Sequence, residues 1–428
     1  MKKLMIAALA GLAVSPTFAD NLPSLTLKEA HETALHNHPL ISVADLKALA
    51  SREAFKQVRA GYLPNLSANA VAVGTAENNT RLEAVGALNS PHIFDREAEG
   101  LVLSQLITDF GRTANLIGSA KLQAEAAANN AQATREQILL LVDGAFYSAQ
   151  RAEAVTKVAQ QTLSSRQIFL DQVTALASNK LRSELDVSFA KVNTEDAQLL
   201  LIQAQNDLDA AFTQLANLLG FRETKSYSLI EEPLPPPVST NASDFVQQAL
   251  NARPDLLSLR NQQQGSLKLA HAERDARLPS ISAVGAAGLA PVHDSTLGDN
   301  YAAGGLVISM PLFAGGLYVA RQHEAELQAQ AAAEGLRDLE DNIIRDVRVA
   351  WLNARTGFER YHVTGQLLET AKQSYELAQA RYQNGISSIV EFYQAELNLV
   401  SAEISYATAQ YDYLVQRSAL NYQTGSLR

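Results

Sequence analysis

With 428 residues, a formal charge of −10 and 47% apolar residues, the chain is long enough for two or three ordinary domains and too apolar to be disordered. Its acidity excludes a general nucleic-acid binder, which needs a basic surface. Without cysteine it has neither a disulfide nor a lipid-anchoring thiol.

The first residues, MKKLMIAALAGLAVSPTFAD, have the form of a secretory signal peptide. Lys2 and Lys3 give a positive start, 4–14 is an apolar run of 11 residues, and Thr17 and Ala19 are the small residues before a cut at Asp20. The run is too short for a membrane span, which takes about 20 residues. A cytosolic N-terminal helix is the alternative. No later apolar run approaches the roughly 18 residues of a spanning helix, so a helical span is excluded. A β-barrel span stays open, because its strands carry only weak, alternating signals.

Downstream, the chain repeats itself. LQAEAAA (122–128) returns as LQAQAAA (327–333), 205 positions later. At the same offset Val142 matches Val347, Ala145 matches Ala350, Phe146 matches Trp351, Asp186 matches Glu391 and Gly220 matches Gly425. Upstream the offset is 215: His38-Pro39 matches Arg253-Pro254, and LPNLSA (63–68) matches LPSISA (278–283). Ten extra residues therefore lie between about 74 and 100 in the first copy, as an exposed loop tolerates. The expected organisation is a signal peptide (1–19), a first structural repeat (20–232), a proline-rich linker (233–242) and a second repeat (243–428).

Taken in order, each copy begins with a helix (27–59; 243–276) and continues with two strands of about 11 residues (63–74 and 97–108; 278–290 and 301–312). In the strands Leu66, Ala68 and Ala70 alternate with Asn65, Ser67 and Asn69, and Leu306, Ile308 and Met310 alternate with Val307 and Ser309. No proline lies between Pro91 and Pro233 or after Pro311, and both stretches are rich in the helix formers Ala, Leu, Gln and Glu. Apolar residues there step by 3 and 4, as in Leu336, Leu339, Ile343, Val347, Ala350, Ala354, Phe358 and Tyr361. The same stepping runs through Leu201, Ala204, Leu208, Ala211, Leu215 and Leu218, and through Leu397, Val400, Ile404, Ala407, Tyr411 and Leu414. Each stretch reads as a helical hairpin with a first arm near 113–178 or 317–383, about 100 Å long at 1.5 Å per residue. The turns fall at ASNKLRS (177–183), where Asn179 is the best left-handed candidate, and at QNGISS (383–388), where Asn384-Gly385 signals the turn. Four strands cannot close a barrel, and open sheet edges cannot sit in lipid, so the strands call for further copies; three would supply twelve.

Residues ARPDL (252–256), YLP (62–64), RLP (277–279), ITDFGR (107–112), PLFAGG (311–316), LRSELDV (181–187) and RYQNGISSIVEFYQAE (381–396), with the duplication, resemble the TolC family of outer-membrane efflux factors along nearly the whole mature chain. The resemblance implies a mainly α fold with a β-barrel part: helical hairpins in a periplasmic α-barrel, and four strands per chain in a trimeric 12-stranded outer-membrane barrel. It implies a homotrimer that meets a periplasmic adaptor and an inner-membrane pump and carries small molecules outward as a passive gated duct. The family's gate positions fall on Asp186, Tyr382, Glu391 and Gln394. Glu391 is the acidic ring position, Gln394 stands where the family has a second acid, and a Tyr382 hydroxyl to Asp186 carboxylate bond would hold the tip shut. The family's latching arginine falls on Ser387. Adaptor docking falls on the turns: Lys180, Leu181, Arg182, Ser183, Gly385, Ile386, Ser387 and Ser388. The plain reading of Asp186 and Glu391 is helix N-terminal acids favoured by the dipole.

His31, His36 and His38 read as surface histidines near a helix end rather than as a metal site. No HExxH, Cys cluster or phosphate loop occurs, so neither an enzyme nor a cofactor is expected. Two other readings are a protein-secretion duct of the same fold and a non-conducting helical tether across the periplasm.

Overall fold

The computed structural model describes residues 23–74, 95–293 and 298–427. The expected signal peptide and most of the loop with the first copy's extra residues lie outside the described residues. Among the described residues, no helix is long and apolar enough to cross a membrane.

The elements are β1 (Ser24–Leu25), α1 (Leu27–Asn37), α2 (Pro39–Arg59), β2 (Asn65–Val73), β3 (Arg96–Thr108), α3 (Arg112–Ser178), α4 (Glu184–Leu218), β4 (Ser228–Leu229), α5 (Ala242–Ala252), α6 (Pro254–Asp275), β5 (Ser280–Val292), β6 (Asn300–Ser309), α7 (Leu317–Gln383) and α8 (Ile389–Gln423). The second half mirrors the first: α3 and α7 both have 67 residues, and α4 and α8 both have 35. The strand expected over 301–312 stops at Ser309, two residues before Pro311, which has no N–H for the ladder.

The helices expected over 27–59 and 243–276 are each broken in two, at His38-Pro39 and Arg253-Pro254. The residue before a proline is pushed to extended backbone, and His38 (ψ 121°) and Arg253 (ψ 124°) both adopt it. This corrects the reading of the histidines. His38 is buried, its Nδ1 accepts the Leu40 N–H at 3.3 Å as an N-cap, and burial pushes its pKa down. His31 pairs with the buried Asp143 on α3. Of the three, His36 is exposed. In the second copy Arg253 takes the equivalent place. It holds Asp255 through two hydrogen bonds (3.0 and 2.6 Å) and reaches Gln423 at the end of α8, which gives the ARPDL motif its physical reason. The chain passes close at both breaks: a Cβ on Gly220 would lie 2.8 Å from the Asn37 carbonyl oxygen, and one on Gly425 3.0 Å from the Ala252 carbonyl carbon.

Two compact units form. One takes the chain up to Asn37, 141–236 and 358–415; the other takes 38–140, 237–357 and 416 onward. The first holds the tip halves of the hairpins and the parallel pair β1–β4. The proline-rich linker is tied down in it by the Tyr413 hydroxyl, which donates to the carbonyls of Pro235 and Pro236 at 3.2 and 2.8 Å.

The second unit carries an antiparallel sheet in the order β2-β3-β5-β6. Its register sorts the side chains. One face aligns Leu66 with Leu103, Ala68 with Leu101, Leu103 with Gly285, Ala283 with Leu306 and Ile281 with Ile308. The other aligns Asn65 with Ser104, Ser67 with Val102, and Ser280 with Ser309. An apolar face backed by a more polar one is the pattern of a strand set between lipid and a wet lumen. β2 and β6 are the edges, each paired on one side only. Gly100 and Gly288 face each other across β3 and β5, and the Tyr301 hydroxyl lies over both. A Cβ on Gly288 would sit 2.1 Å from the Glu99 carbonyl oxygen. Gly288→Val is therefore expected to cost about 3 kcal/mol, the upper end for overpacking, since backbone and not a flexible side chain must move. The measurement is thermal unfolding beside wild type; an unchanged midpoint would reject the contact.

Candidate functional site

The two hairpin turns form the site, and both are built alike. In the first, Lys180 N–H donates to the Ala177 carbonyl (2.8 Å) and Leu181 N–H to the Leu176 carbonyl (2.9 Å). In the second, Gly385 N–H donates to Tyr382 (3.0 Å) and Ile386 N–H to Arg381 (2.9 Å). This double closure is a Schellman motif, and it needs one left-handed residue. That residue is Gly385 (φ 71°) in the second turn and Lys180 (φ 59°) in the first, not the expected Asn179. Asn179 instead donates its side-chain amide to the Ala175 carbonyl at 2.8 Å. A Cβ at position 385 meets nothing within 4 Å, so Gly385→Ala is expected to cost only the backbone strain, about 1 kcal/mol, with Lys180→Gly shifting stability the other way. Denaturant unfolding measures both, and equal midpoints would reject the strain.

Each turn then starts its second arm with a serine whose hydroxyl accepts from the backbone N–H three residues on. Ser183 Oγ accepts the Asp186 N–H at 3.1 Å, while Asp186 Oδ2 accepts the Ser183 N–H at 3.3 Å, a complete capping box. Ser388 Oγ accepts the Glu391 N–H at 3.3 Å. Glu391 does not close its box; its carboxylate turns to Arg381, 3.4 Å away. Both acids occupy the N-terminal turn, where the helix dipole favours them.

The hydroxyl–carboxylate bond expected between Tyr382 and Asp186 is not made within the chain. Asp186 is used by its own cap, and the Tyr382 hydroxyl is buried with no hydrogen-bond partner. Arg182, from the first turn, holds Tyr382 instead. Its guanidinium lies 4.4 Å from the ring centroid and donates to the Tyr382 carbonyl at 3.3 Å, at the C-terminal end of α7. Burial pushes the Tyr382 hydroxyl pKa up, Arg182 opposes this, and Asp186 adds to it. Ser387 carries no latch; its hydroxyl is buried and unpartnered.

Of the other turn residues, Leu181 and Ile386 stand out at 70% and 67% exposure, as apolar knobs at the two tips. Lys180, Ser183, Gly385 and Ser388 are exposed beside them. Gln394 lies with Glu391, Asn398 and Ser401 on one exposed, polar face of α8. Behind that face is a group the sequence reading missed: Phe169, Tyr375, Tyr382, Phe392 and Tyr393 pack together, with Arg166 and Glu396 paired beside them. Leu397, expected on the buried stripe of α8, is 54% exposed, because near the tip these rings take the buried side.

A sheet with one apolar face and two open edges, carried in one chain with paired 67-residue helices, is the make-up of an outer-membrane channel protein. The model of the family described as outer membrane efflux protein matches residues 30–221 and 245–426. The chain belongs to this family and is an outer-membrane efflux channel. It is 24% identical to the outer membrane protein TolC of Salmonella enteritidis, over 100% of this chain and 87% of that one. It is also 24% identical to the alkaline protease secretion protein AprF of Pseudomonas aeruginosa, over 94% of this chain and 85% of that one. The open-state MtrE outer membrane channel of Neisseria gonorrhoeae superposes with a TM-score of 0.79 at 21% identity, covering 94% and 89% of the two chains. The match falls in two blocks, one in each copy of the repeat. The family's members are transport proteins rather than enzymes.

Proposed function

We propose that three copies of the chain close into one duct, each contributing two copies of the structural repeat, 20–232 and 243–428, joined by 233–242. The duct takes small toxic molecules from an inner-membrane pump through a periplasmic adaptor and releases them outside. The single observation that carries this is the four-stranded sheet, apolar on one face, with β2 and β6 unpaired at its edges. An open edge has no place in lipid, and three such sheets joined edge to edge leave none open. The tip unit supports the same closure. Leu185, Val192 and Leu199 on α4 lie seven residues apart and are exposed; Val363 and Leu377 on α7, two sevens apart, are exposed with Leu367 between them. Stripes of this spacing are coiled-coil seams that need a partner helix.

Lys180, Leu181, Arg182, Ser183, Gly385, Ile386, Ser387 and Ser388 form the adaptor-facing surface, and Asp186, Tyr382, Glu391 and Gln394 form the gate. A protein-secretion duct is the second reading, favoured by the AprF likeness. The test is the purified protein in a planar bilayer. Discrete single-channel steps from a heat-resistant trimer are expected; a folded trimer without steps would reject the duct and favour the tether.

A further inference from the structure

The four helix ends next to the large sheet are laced into one collar. A Cβ on Gly61, just past α2, would lie 3.7 Å from the Thr113 methyl of α3. The Asn115 amide of α3 donates to Asp275 Oδ2 at the end of α6 (2.9 Å), and Arg277, two residues further, donates to Gln322 Oε1 on α7 (2.7 Å). Five arginines stand on this collar, Arg59, Arg112, Arg274, Arg277 and Arg321, and all are exposed. The acids at the same level are taken up elsewhere. Asp109 is buried and accepts from the Gly111 and Thr113 N–H groups and the Thr113 hydroxyl. Asp275 is buried and shared between Asn115 and Arg274, and Glu273 has a carboxylate oxygen buried without a hydrogen-bond partner. Among the described residues Arg59, Arg112, Arg277 and Arg321 form no ion pair, a positive surplus in a chain of charge −10. Beside the collar lies exposed apolar surface. Leu312 and Phe313, between β6 and α7, are 88% and 90% exposed. On the apolar face of the sheet, Leu66 and Leu103 wall an open groove of about 500 Å³ floored by Gly285, Ala287 and Gly304. Gly304 is five residues from the strand end at Ser309, about 17 Å at 3.4 Å per residue and close to the roughly 15 Å depth of one leaflet. Gln105, next on that face after Leu103, donates to the Tyr62 carbonyl three residues past α2 (2.7 Å), so the collar meets the sheet on that side.

We propose that collar and groove together seat an anionic phospholipid, its phosphodiester on the unpaired arginines and one acyl chain along the groove. A guanidinium matches a phosphate with two parallel N–H donors, and its stem lies along apolar surface while the head stays wet. Free phosphate would meet the arginines and leave the groove and Phe313 bare. A zwitterionic lipid would cover the groove and leave the charge surplus. An anionic lipid answers both, as basic residues beside a membrane-embedded face do. Its consequence is mechanical: a lipid held at once by the helix ends and the sheet fixes the depth at which the sheet sits. The choice of the leaflet on the helix side rests on the duct reading; the charge and shape match does not.

Thermal unfolding of the detergent-purified full-length protein tests it, with dioleoyl phosphatidylglycerol, dioleoyl phosphatidylcholine or inorganic phosphate added at matched concentration. A ligand of the folded state raises the midpoint. Phosphatidylglycerol is expected to raise it and the other two to leave it in place, with the rise suppressed in about 0.5 M salt. Arg112→Gln/Arg321→Gln is expected to need about 25-fold more phosphatidylglycerol for the same rise, about fivefold per arginine, with its lipid-free midpoint that of wild type. Gly304→Leu fills the groove and keeps every arginine; a Cβ there makes only ordinary contact, 3.8 Å from the Val284 carbonyl oxygen. It is expected to need severalfold more lipid. Equal rises with phosphatidylglycerol and phosphatidylcholine, a rise with inorganic phosphate, or an unchanged lipid requirement in either variant would overturn the seat. Conductance is read separately on the same preparation. Protein that binds phosphatidylglycerol but shows no steps would reject the duct and leave the seat standing; a conducting channel indifferent to phosphatidylglycerol would do the reverse.

Discussion

Arg166→Ala is expected to be the most damaging single truncation in the tip unit, costing about 3–5 kcal/mol, because it leaves a buried carboxylate without its partner. Arg151→Ala breaks another ion pair between the same two helices, to Asp412 at 3.3 Å, and is expected to cost less than about 1 kcal/mol, because that pair is open to solvent. The contrast between them is the useful quantity, and denaturant unfolding of the two variants beside wild type measures it. Equal losses would mean that burial of the Arg166–Glu396 pair contributes nothing. The pH dependence gives a second check. Burial already pushes the Glu396 carboxyl pKa up, and Arg166 is the group that opposes it; Tyr375 and Tyr393 face it as neutral neighbours at these pH values. Without Arg166 the folded-state pKa rises further above the unfolded one. A carboxyl raised in this way destabilises the folded chain as pH climbs past its unfolded value, and the penalty fades on acidification. The deficit of Arg166→Ala is therefore expected to be larger at pH 8 than at pH 5. Replacing both partners by apolar residues, Arg166→Met/Glu396→Leu, is expected to restore much of the loss, since no buried charge remains.

The helices and strands were legible because each rests on a local period. Two stretches without proline became 67-residue helices, and alternation of Leu66, Ala68 and Ala70 with Asn65, Ser67 and Asn69 became β2 with two unlike faces. The left-handed residue of the first turn illustrates two competing signals. Residue preference pointed to Asn179, while the 205-residue offset placed Lys180 opposite Gly385. The offset was right, because the Schellman closure selects a position in the turn and the rest of the hairpin holds whatever residue stands there. His31 was misread because nothing local reports that α1 lies against α3, where Asp143 waits. The Arg166–Glu396 pair was hidden for the same reason: its members are 230 residues apart, among helices full of charge. One clue was present. Glu396 is four residues after Phe392, on the same helix face as a run of rings, and a carboxylate placed there needs a buried cation.

Ion selectivity is where a single exposed side chain is expected to have its largest effect. Glu391 is the acid of the proposed gate, but Arg381 sits 3.4 Å from its carboxylate, and both are half-exposed. The next residue toward the barrel on the same face of α8, Gln394, is neutral and turned to Asn398 at 3.2 Å. Three chains around an axis would thus bring three Glu391 carboxylates together with three Arg381 guanidinium groups that offset them, while Asp186 is taken up by its own helix cap. Wild type is expected to favour cations only weakly. Arg381→Gln leaves the carboxylates unopposed, and a like-charged ring in a narrow pore concentrates cations and excludes anions. The cation-to-anion permeability ratio is expected to rise severalfold, with divalent ions beginning to block. Glu391→Gln in the same background should return it to wild type or below. Because the pair is solvent-exposed, neither change should move stability by more than about 1 kcal/mol, so an altered current reports charge and not unfolding. The readout is the reversal potential under a salt gradient across a planar bilayer. Identical reversal potentials in all three proteins would take Glu391 away from the constriction and move the gate to another level of the hairpin.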